Sequence, residues 1–273
     1  MQPAISQVCT LSASFEKDIE EFSAGHCGAI EIWLGKLETY LDSHKPADVL
    51  TLLAQHEIAA PVASYQGGLL TRTADARQEH WNLFRRRLPL CQQLKIETLV
   101  VACDVTGPLT SDVVDQTRQS LAEAAALAQQ HGVRLALEFQ ANASMANNLE
   151  SCAALVGEVG HPALGICFDL FHFHTGPSKT EDLGWLTAEN LFHVQICDLA
   201  GIPREWATDA DRILPGDGDI STAALIQRLR QIGYRGCVSV EMMNPQIWQI
   251  APRSVGEIAA TAVRKVLGQA STN

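Results

Sequence analysis

Long apolar runs are missing from this chain of 273 residues. No stretch reaches the roughly 18 consecutive apolar residues that a membrane-spanning helix needs. The beginning of the chain also lacks the pattern of a signal peptide, and no low-complexity segment is present. We therefore expect a soluble, cytoplasmic protein with no membrane partner.

Clustered positive charge is scarce as well. The formal net charge is −11, and the longest run of adjacent basic residues is the arginine triplet at 85–87. An acidic protein repels the phosphate backbone, so the composition argues against nucleic acid as a partner. The shortage of Lys and Arg near the predicted strand ends argues in the same way against a phosphorylated substrate.

Cysteine pairs with the spacing of metal ligands are also absent. The eight cysteines are scattered along the chain, and none forms a Cys-x-x-Cys pair. Several fall inside predicted buried strands, where a free thiol packs as a small hydrophobic group. This usage favours a reducing compartment and argues against both a disulfide framework and a cysteine-based zinc site.

Short apolar runs alternate with longer amphipathic segments, a pattern typical of βα units around a parallel sheet. The predicted strands are residues 4–10, 29–34, 58–64, 98–103, 134–139, 164–170, 192–197 and 237–242. The predicted helices are residues 15–24, 36–56, 76–94, 111–131, 148–159, 182–187, 221–232 and 254–268. The first strand-to-helix turn has no glycine, which argues against an open doubly wound sheet. We therefore predict an α/β fold, with residues 1–273 forming a single (β/α)8 TIM barrel.

Polar residues, Glu31 among them, concentrate at the ends of the predicted strands, where a TIM barrel carries its functional site. Four of them lie late in a strand between apolar neighbours: Glu138, Asp169, Gln195 and Glu241. Three carboxylates at one barrel mouth repel one another unless their pKa values rise or a cation neutralises them. Oxygen ligands favour Mn²⁺ or Mg²⁺ and are compatible with Co²⁺ or Zn²⁺. The alternative is that each carboxylate separately pairs with an arginine or caps a helix.

Two motifs accompany these residues, Phe-Asp-Leu-Phe-His at 168–172 and Leu-Pro-Gly-Asp-Gly-Asp-Ile at 214–220. Together with the spacing of the four residues, they resemble the xylose isomerase-like TIM-barrel superfamily, and within it the branch of inosose isomerases and ketose 3-epimerases. The resemblance implies one divalent metal ion, and these ligands: Glu138, Asp169, Gln195 and Glu241. It further implies that His172 contacts the substrate, that Arg212 holds a substrate oxygen, and that the protein is a homodimer.

One position departs from the pattern of that superfamily. Gln195 stands where such enzymes commonly have a metal-binding histidine, and an amide carbonyl is a weaker donor than imidazole. His193 lies two residues earlier in the same predicted strand, so its side chain points to the same face. Gln195 matches the motif by position, and His193 is the alternative ligand. A further branch, the apurinic endonucleases, needs additional histidines that residues 204–219 lack.

A site of this kind isomerises or epimerises a hydroxyketone by removing a proton next to the carbonyl, through a metal-bound enediolate. In a site like that of the ketose 3-epimerases, Glu138 and Glu241 exchange the proton on opposite faces of the substrate. In a site like that of the inosose isomerases, His172 takes part instead. Trp33 and Trp248 lie near strand ends and are expected to wall a pocket for a carbohydrate or cyclitol.

Two rival functions stay open beside the expected metal-dependent isomerase or epimerase. A dehydratase of the inosose or dehydroshikimate type starts from the same enediolate but expels a β-hydroxyl. That step needs an acid which the sequence does not locate. A non-catalytic sugar-binding barrel would bind a ligand without turning it over.

Overall fold

Parallel strands form the core of the structure, a computed structural model that describes residues 1–70 and 74–269. Within these residues, eight strands follow one another in the order β1 to β8 in a closed barrel. They are β1 (Gln2–Ser6), β2 (Ala29–Trp33), β3 (Ala59–Gln66), β4 (Thr98–Ala102), β5 (Arg134–Glu138), β6 (Leu164–Asp169), β7 (Leu191–Ile196) and β8 (Cys237–Val240). Strands β4, β6 and β7 are buried along their whole length, as their nearly continuous apolar sequences favour. The (β/α)8 TIM barrel predicted from the sequence is confirmed.

Helices alternate with the strands along the chain. They are α1 (Phe15–Ala24), α2 (Leu34–Leu41), α3 (Pro46–Gln55), α4 (Ala74–Gln93), α5 (Ser111–Gln130), α6 (Leu149–Val159), α7 (Leu170–Thr175), α8 (Ala223–Gln231) and α9 (Pro252–Val266). Side-chain oxygens of Ser14, Thr110 and Asn148 accept hydrogen bonds from backbone N–H groups in the first turns of α1, α5 and α6, which fixes where these helices begin. In the part of the chain that the structure describes, no helix has the length and hydropathy required to cross a membrane.

Several predicted elements have different bounds in the structure. The strand predicted over residues 4–10 ends at Ser6, and Gln7–Thr10 form a 3₁₀ turn. The helix predicted over residues 36–56 is instead the pair α2 and α3, because Pro46 lacks a backbone N–H and fits the first turn of α3 better than a helix interior. The short helix predicted at 182–187 is a 3₁₀ turn at Thr180–Trp185. Helix α7 was not predicted, because its apolar and aromatic residues continue the pattern of strand β6.

The cysteines are packed as the sequence predicts. All eight are free thiols and all eight are buried. Burial raises the pKa of the Cys27 thiol to about 11, because the thiolate would lose its hydration. A thiol held in this state packs as an apolar group rather than acting as a metal ligand or nucleophile.

The chain divides into two compact units. The first unit consists of residues 1–63 and the chain from residue 194 onward, and the second unit consists of residues 64–193. In the first unit, β1 pairs with β2 and β8, and β7 pairs with β8. In the second unit, β4 pairs with β5 and β5 with β6. Whether residues 1–273 form a single domain stays a prediction.

A buried ion pair anchors the segment that follows β1 in the first unit. The Lys36 ammonium lies 2.6 Å from Asp18 Oδ2 and also donates to the Thr10 carbonyl, and Asp18 is fully buried. Asp18 accepts further hydrogen bonds from the Thr10 hydroxyl and from the amide of Gln7. Burial raises the pKa of the Asp18 carboxyl and lowers the pKa of the Lys36 ammonium, and their mutual attraction opposes both shifts.

Removing one partner of this pair should destabilise the fold. In Asp18→Ala the Lys36 ammonium stays buried without its counter-ion, and we expect the free energy of unfolding to fall by about 3–5 kcal/mol. Urea denaturation followed by circular dichroism measures this change. The control is Glu16→Ala on the exposed face of the same helix, which should alter stability by no more than about 0.5 kcal/mol. Equal effects of the two substitutions would show that the ion pair does not stabilise the protein.

Candidate active site

The second unit brings two of the predicted metal ligands next to the predicted substrate contact. Glu138 is the last residue of β5 and Asp169 the last residue of β6, and His172 lies in the first turn of α7. Potential ligand atoms of these three residues all lie within 4.8 Å of one another. All three side chains are buried, with at most 6% of their surface exposed. Two carboxylates and an imidazole at this separation form a donor set that suits a divalent cation.

Asp169 is fixed in position because it is both the last residue of β6 and the N-cap residue of α7. Its Oδ1 accepts hydrogen bonds from the backbone N–H groups of Phe171 (2.6 Å) and His172 (3.2 Å), which makes it the N-cap of α7. A short helix that begins directly after a strand turns the chain sharply, and it carries His172 back over the strand end. The cap therefore positions both Asp169 and His172.

The hydrogen bonds of His172 indicate its tautomer. The backbone N–H of Ala141 donates to His172 Nδ1 over a long 3.4 Å, and His172 Nε2 lies 3.7 Å from Glu138 Oε1. An imidazole that accepts at Nδ1 carries its proton at Nε2, so an N–H group faces the Glu138 carboxylate.

The first unit contains a second buried cluster of polar residues. The amide nitrogen of Gln195, in β7, donates to Glu241 Oε1 at 2.8 Å and to Glu31 Oε1 at 2.9 Å. Glu241 directly follows β8, and its backbone N–H continues the ladder by donating to the carbonyl of Ile196. Gln195 and Glu31 lie in the strands themselves, and each of these three side chains is at most 5% exposed.

Arg212 joins this cluster from the long segment after β7. Its Nη1 lies 3.0 Å from Glu241 Oε2, and its guanidinium also contacts Asp209 Oδ1 at 2.8 Å. Arg212 is only 1% exposed, and Asn244 donates to its carbonyl oxygen. A charge-assisted hydrogen bond of this kind fixes the orientation of the carboxylate. The predicted substrate-holding arginine thus directly contacts a predicted metal ligand.

Asp198 organises the Pro-Gly-Asp-Gly loop. Its carboxylate accepts hydrogen bonds from four backbone N–H groups, those of Leu199, Gly216, Gly218 and Ile220, at 2.9–3.0 Å. A Cβ atom on Gly218 would lie 2.2 Å from the Leu199 carbonyl, so only glycine fits there. Asp198 also pairs with Ile213 through two backbone hydrogen bonds, which fixes the chain next to Arg212.

The remaining predicted site residues have the following places. Trp33 lines a cavity of about 450 Å³ in the first unit, together with Phe15, Lys36 and Tyr40. Trp248 donates its indole N–H to the Val8 carbonyl at 2.8 Å, so its polar edge has a structural partner. The roles of Trp33 and Trp248 in substrate binding stay predictions.

His193 is fully buried in β7, two residues before Gln195. The structure adds one residue that the predicted site omits, the fully buried Glu31. Its sequence signal is a carboxylate between Ile30 and Ile32 inside a strand, the same signal that marks the four predicted ligands.

The (β/α)8 barrel and the buried carboxylates at its strand ends are features by which the chain can be compared with known protein families. A family model described as xylose isomerase-like TIM barrel matches residues 23–264. The chain therefore belongs to the xylose isomerase-like TIM barrel family, which confirms the resemblance found in the sequence.

The known proteins that are similar to this chain include relatives identified by sequence and solved structures. An inosose isomerase from Bacillus velezensis is 27% identical over 98% of this chain and 98% of its own length. A 3-dehydroshikimate dehydratase from Pseudomonas putida is 28% identical over 89% of this chain and 38% of its own length. A crystal structure of the IolI protein with a bound zinc atom is 24% identical and superimposes with a TM-score of 0.91 over 100% of both chains. A D-psicose 3-epimerase from Clostridium cellulolyticum, crystallised with D-tagatose, is 19% identical and gives a TM-score of 0.79 over 98% of this chain and 99% of its own.

Asp198 provides a test of how the loop is held. In Asp198→Asn, an amide NH₂ replaces one of the two accepting oxygens and faces two backbone donors, so we expect the free energy of unfolding to drop by about 1.5–3 kcal/mol. Urea denaturation gives the stability, and limited proteolysis should show faster cleavage within residues 199–222. Asp217→Asn, at an exposed position of the same loop, is the matched control and should change neither quantity. If both variants behave alike, Asp198 does not organise the loop.

Proposed function

We propose that this protein is a divalent-metal-dependent isomerase or epimerase that acts on a small carbohydrate or cyclitol ketone. The observation that supports it most directly is the cluster of Glu138, Asp169 and His172, whose potential ligand atoms lie within 4.8 Å of one another. Two inosose isomerases among the relatives, which each align over 98% of this chain, support the same reaction class. We also propose a cytoplasmic location, which the buried free cysteines support. A homodimer is likewise part of the proposal.

The four residues proposed as metal ligands have side chains that fit a divalent cation. Three are buried carboxylates and the fourth is a buried amide. The proposed ligands are Glu138, Asp169, Gln195 and Glu241. Their oxygen donors favour Mn²⁺ or Mg²⁺, while zinc in the related IolI structure keeps Zn²⁺ among the candidates. The direct contact of Gln195 with Glu241 favours Gln195 over His193 as the third ligand.

The residues around this site have separate tasks in the proposed reaction. A bound divalent cation supplies Lewis acidity, which stabilises negative charge that develops on the substrate oxygens. Glu138 removes a proton from the carbon next to the carbonyl, and Glu241 returns one on the opposite face of the substrate. Arg212 orients Glu241 through the 3.0 Å contact and holds a substrate oxygen. His172 donates its Nε2–H toward the substrate.

A dehydratase is the second candidate function, and one contact favours it. The Nε2–H of His172 faces Glu138, so once Glu138 has taken the proton from the substrate carbon, the imidazole can hydrogen-bond to that carboxyl group and favour release of the proton. The protonated Glu138 can then pass this proton to a departing β-hydroxyl, which leaves as water, and that step distinguishes the dehydratase from the isomerase. The 3-dehydroshikimate dehydratases among the relatives support this candidate.

Proton exchange tests the shared first step of both candidate reactions. We expect the purified protein to contain a divalent metal by elemental analysis and to introduce deuterium next to the carbonyl of a ketose or inosose in D₂O, detected by NMR. Removal of the metal with a chelator should stop the exchange, and Mn²⁺ or Zn²⁺ should restore it. Loss of a β-hydroxyl in the same spectra would identify the dehydratase. Ligand binding without any exchange over a broad panel would contradict both reactions and favour a binding protein.

The proposed proton donor Glu241 can be tested with an amide of the same shape. Glu241→Gln should slow deuterium exchange by about 10²–10⁴-fold, because the amide cannot deliver a deuteron to the substrate carbon. Circular dichroism should show an unchanged fold. Glu257→Gln, an exposed position on α9, is the control and should exchange at the wild-type rate. Exchange at the wild-type rate in Glu241→Gln would contradict its catalytic role, and loss of folding would mean that Glu241 is structural.

A further inference from the structure

The amide of Gln195 is clamped by two carboxylates. Its nitrogen donates to Glu31 Oε1 at 2.9 Å and to Glu241 Oε1 at 2.8 Å, so both of its N–H groups point at anionic oxygens. All three side chains are buried inside the first unit. Glu31 lies on β2, where register pairing with Ser6 of β1 holds its backbone, and Gln195 pairs in register with Ser239 of β8. The clamp is therefore built on paired strands rather than on a loop.

This arrangement decides which edge of the amide faces which way. The NH₂ group and the carbonyl oxygen leave the amide carbon in different directions within one plane, so an NH₂ directed at Glu31 and Glu241 fixes the direction in which the carbonyl oxygen points. Rotation of the amide by half a turn would place its oxygen against two carboxylate oxygens and would break two charge-assisted hydrogen bonds. Only one of the two orientations is compatible with the surrounding charges.

We propose that Glu31 is a positioning residue which fixes the amide of Gln195 so that its carbonyl oxygen serves as a metal ligand. The proposal rests on the proposed function, since it assumes a cation at Gln195. It also gives a reason why a glutamine can stand where related enzymes commonly have a histidine. A carboxylate that accepts the N–H of a ligand raises the electron density on the coordinating atom, and this compensates for the weaker donor strength of an amide.

A double-variant cycle tests whether Glu31 acts through Gln195. The four proteins are wild type, Glu31→Gln, Gln195→Ala and the double variant, and the measured quantity is the Kd for Mn²⁺ from titration followed by electron paramagnetic resonance. We expect Glu31→Gln to weaken Mn²⁺ binding by about 10–100-fold when Gln195 is present and to have no further effect in Gln195→Ala. Glu16→Gln, exposed on α1, is the control and should leave the Kd unchanged. An equal loss in both backgrounds would overturn the proposal, because Glu31 would then act on the metal directly or through the fold.

A second measurement needs no metal. In metal-free wild-type protein, the two side-chain N–H protons of Gln195, assigned by their absence in Gln195→Ala, should exchange slowly with solvent in NMR spectra. Glu31→Asp, which withdraws the carboxylate by one methylene but keeps its charge, should speed this exchange. Fast exchange in the wild-type protein would overturn the proposal. Slow exchange in a protein that binds no metal would support the clamp while contradicting the proposed function, so the two failures are distinguishable.

Discussion

A buried carboxylate must find hydrogen-bond donors or a cation, because it loses its hydration on folding. This constraint shapes the structure around the strand ends. Asp169 is satisfied by the N-terminus of α7, Asp198 by backbone N–H groups of the Pro-Gly-Asp-Gly loop, and Glu241 by Arg212 and Gln195. In each case the local backbone takes the conformation that supplies the donors. The acidic side chains that precede the helix after β6 and the loop after β7 thus stabilise the backbone conformation of both segments.

Parallel pairing of the strands brings these acidic side chains next to other polar side chains at neighbouring strand ends. In the second unit, Glu138 pairs in register with Ala102 of β4 and Cys167 of β6, so the ends of adjacent strands come level and bring Glu138 close to Asp169. In the first unit, the pairing of β7 with β8 brings Gln195 beside Glu241 in the same way. The strands provide rigid positions, and the segments after them provide Arg212 and His172. Precise placement therefore comes from the barrel, and chemical variety comes from the βα segments.

The sequence predicts the strands and marks candidate site residues because both follow from local pattern. Apolar runs locate the strands, and a carboxylate inside such a run is conspicuous, as at Glu138 and Asp169. A residue whose role depends on a partner far away in the chain is not recognised from the sequence pattern. Glu31 gains its significance from Gln195, which lies 164 residues further along the chain. Helix α7 was missed because the aromatic residues after Asp169 also suit a strand, and only the capping contact of that aspartate decides between the two.

Hydrogen bonds inside each cluster lower the cost of its buried charge but do not remove it. In the second unit, oxygens of the buried carboxylates Glu138 and Asp169 and a ring nitrogen of His172 all lie within 4.8 Å of one another. In the first unit, Gln195 bridges Glu31 and Glu241, and the guanidinium of Arg212 contacts Glu241. Carboxylates this close to one another repel unless their pKa values rise or positive charge lies beside them. An arginine supplies positive charge in the first unit, and in the second unit the three potential ligand atoms form a possible site for a metal ion.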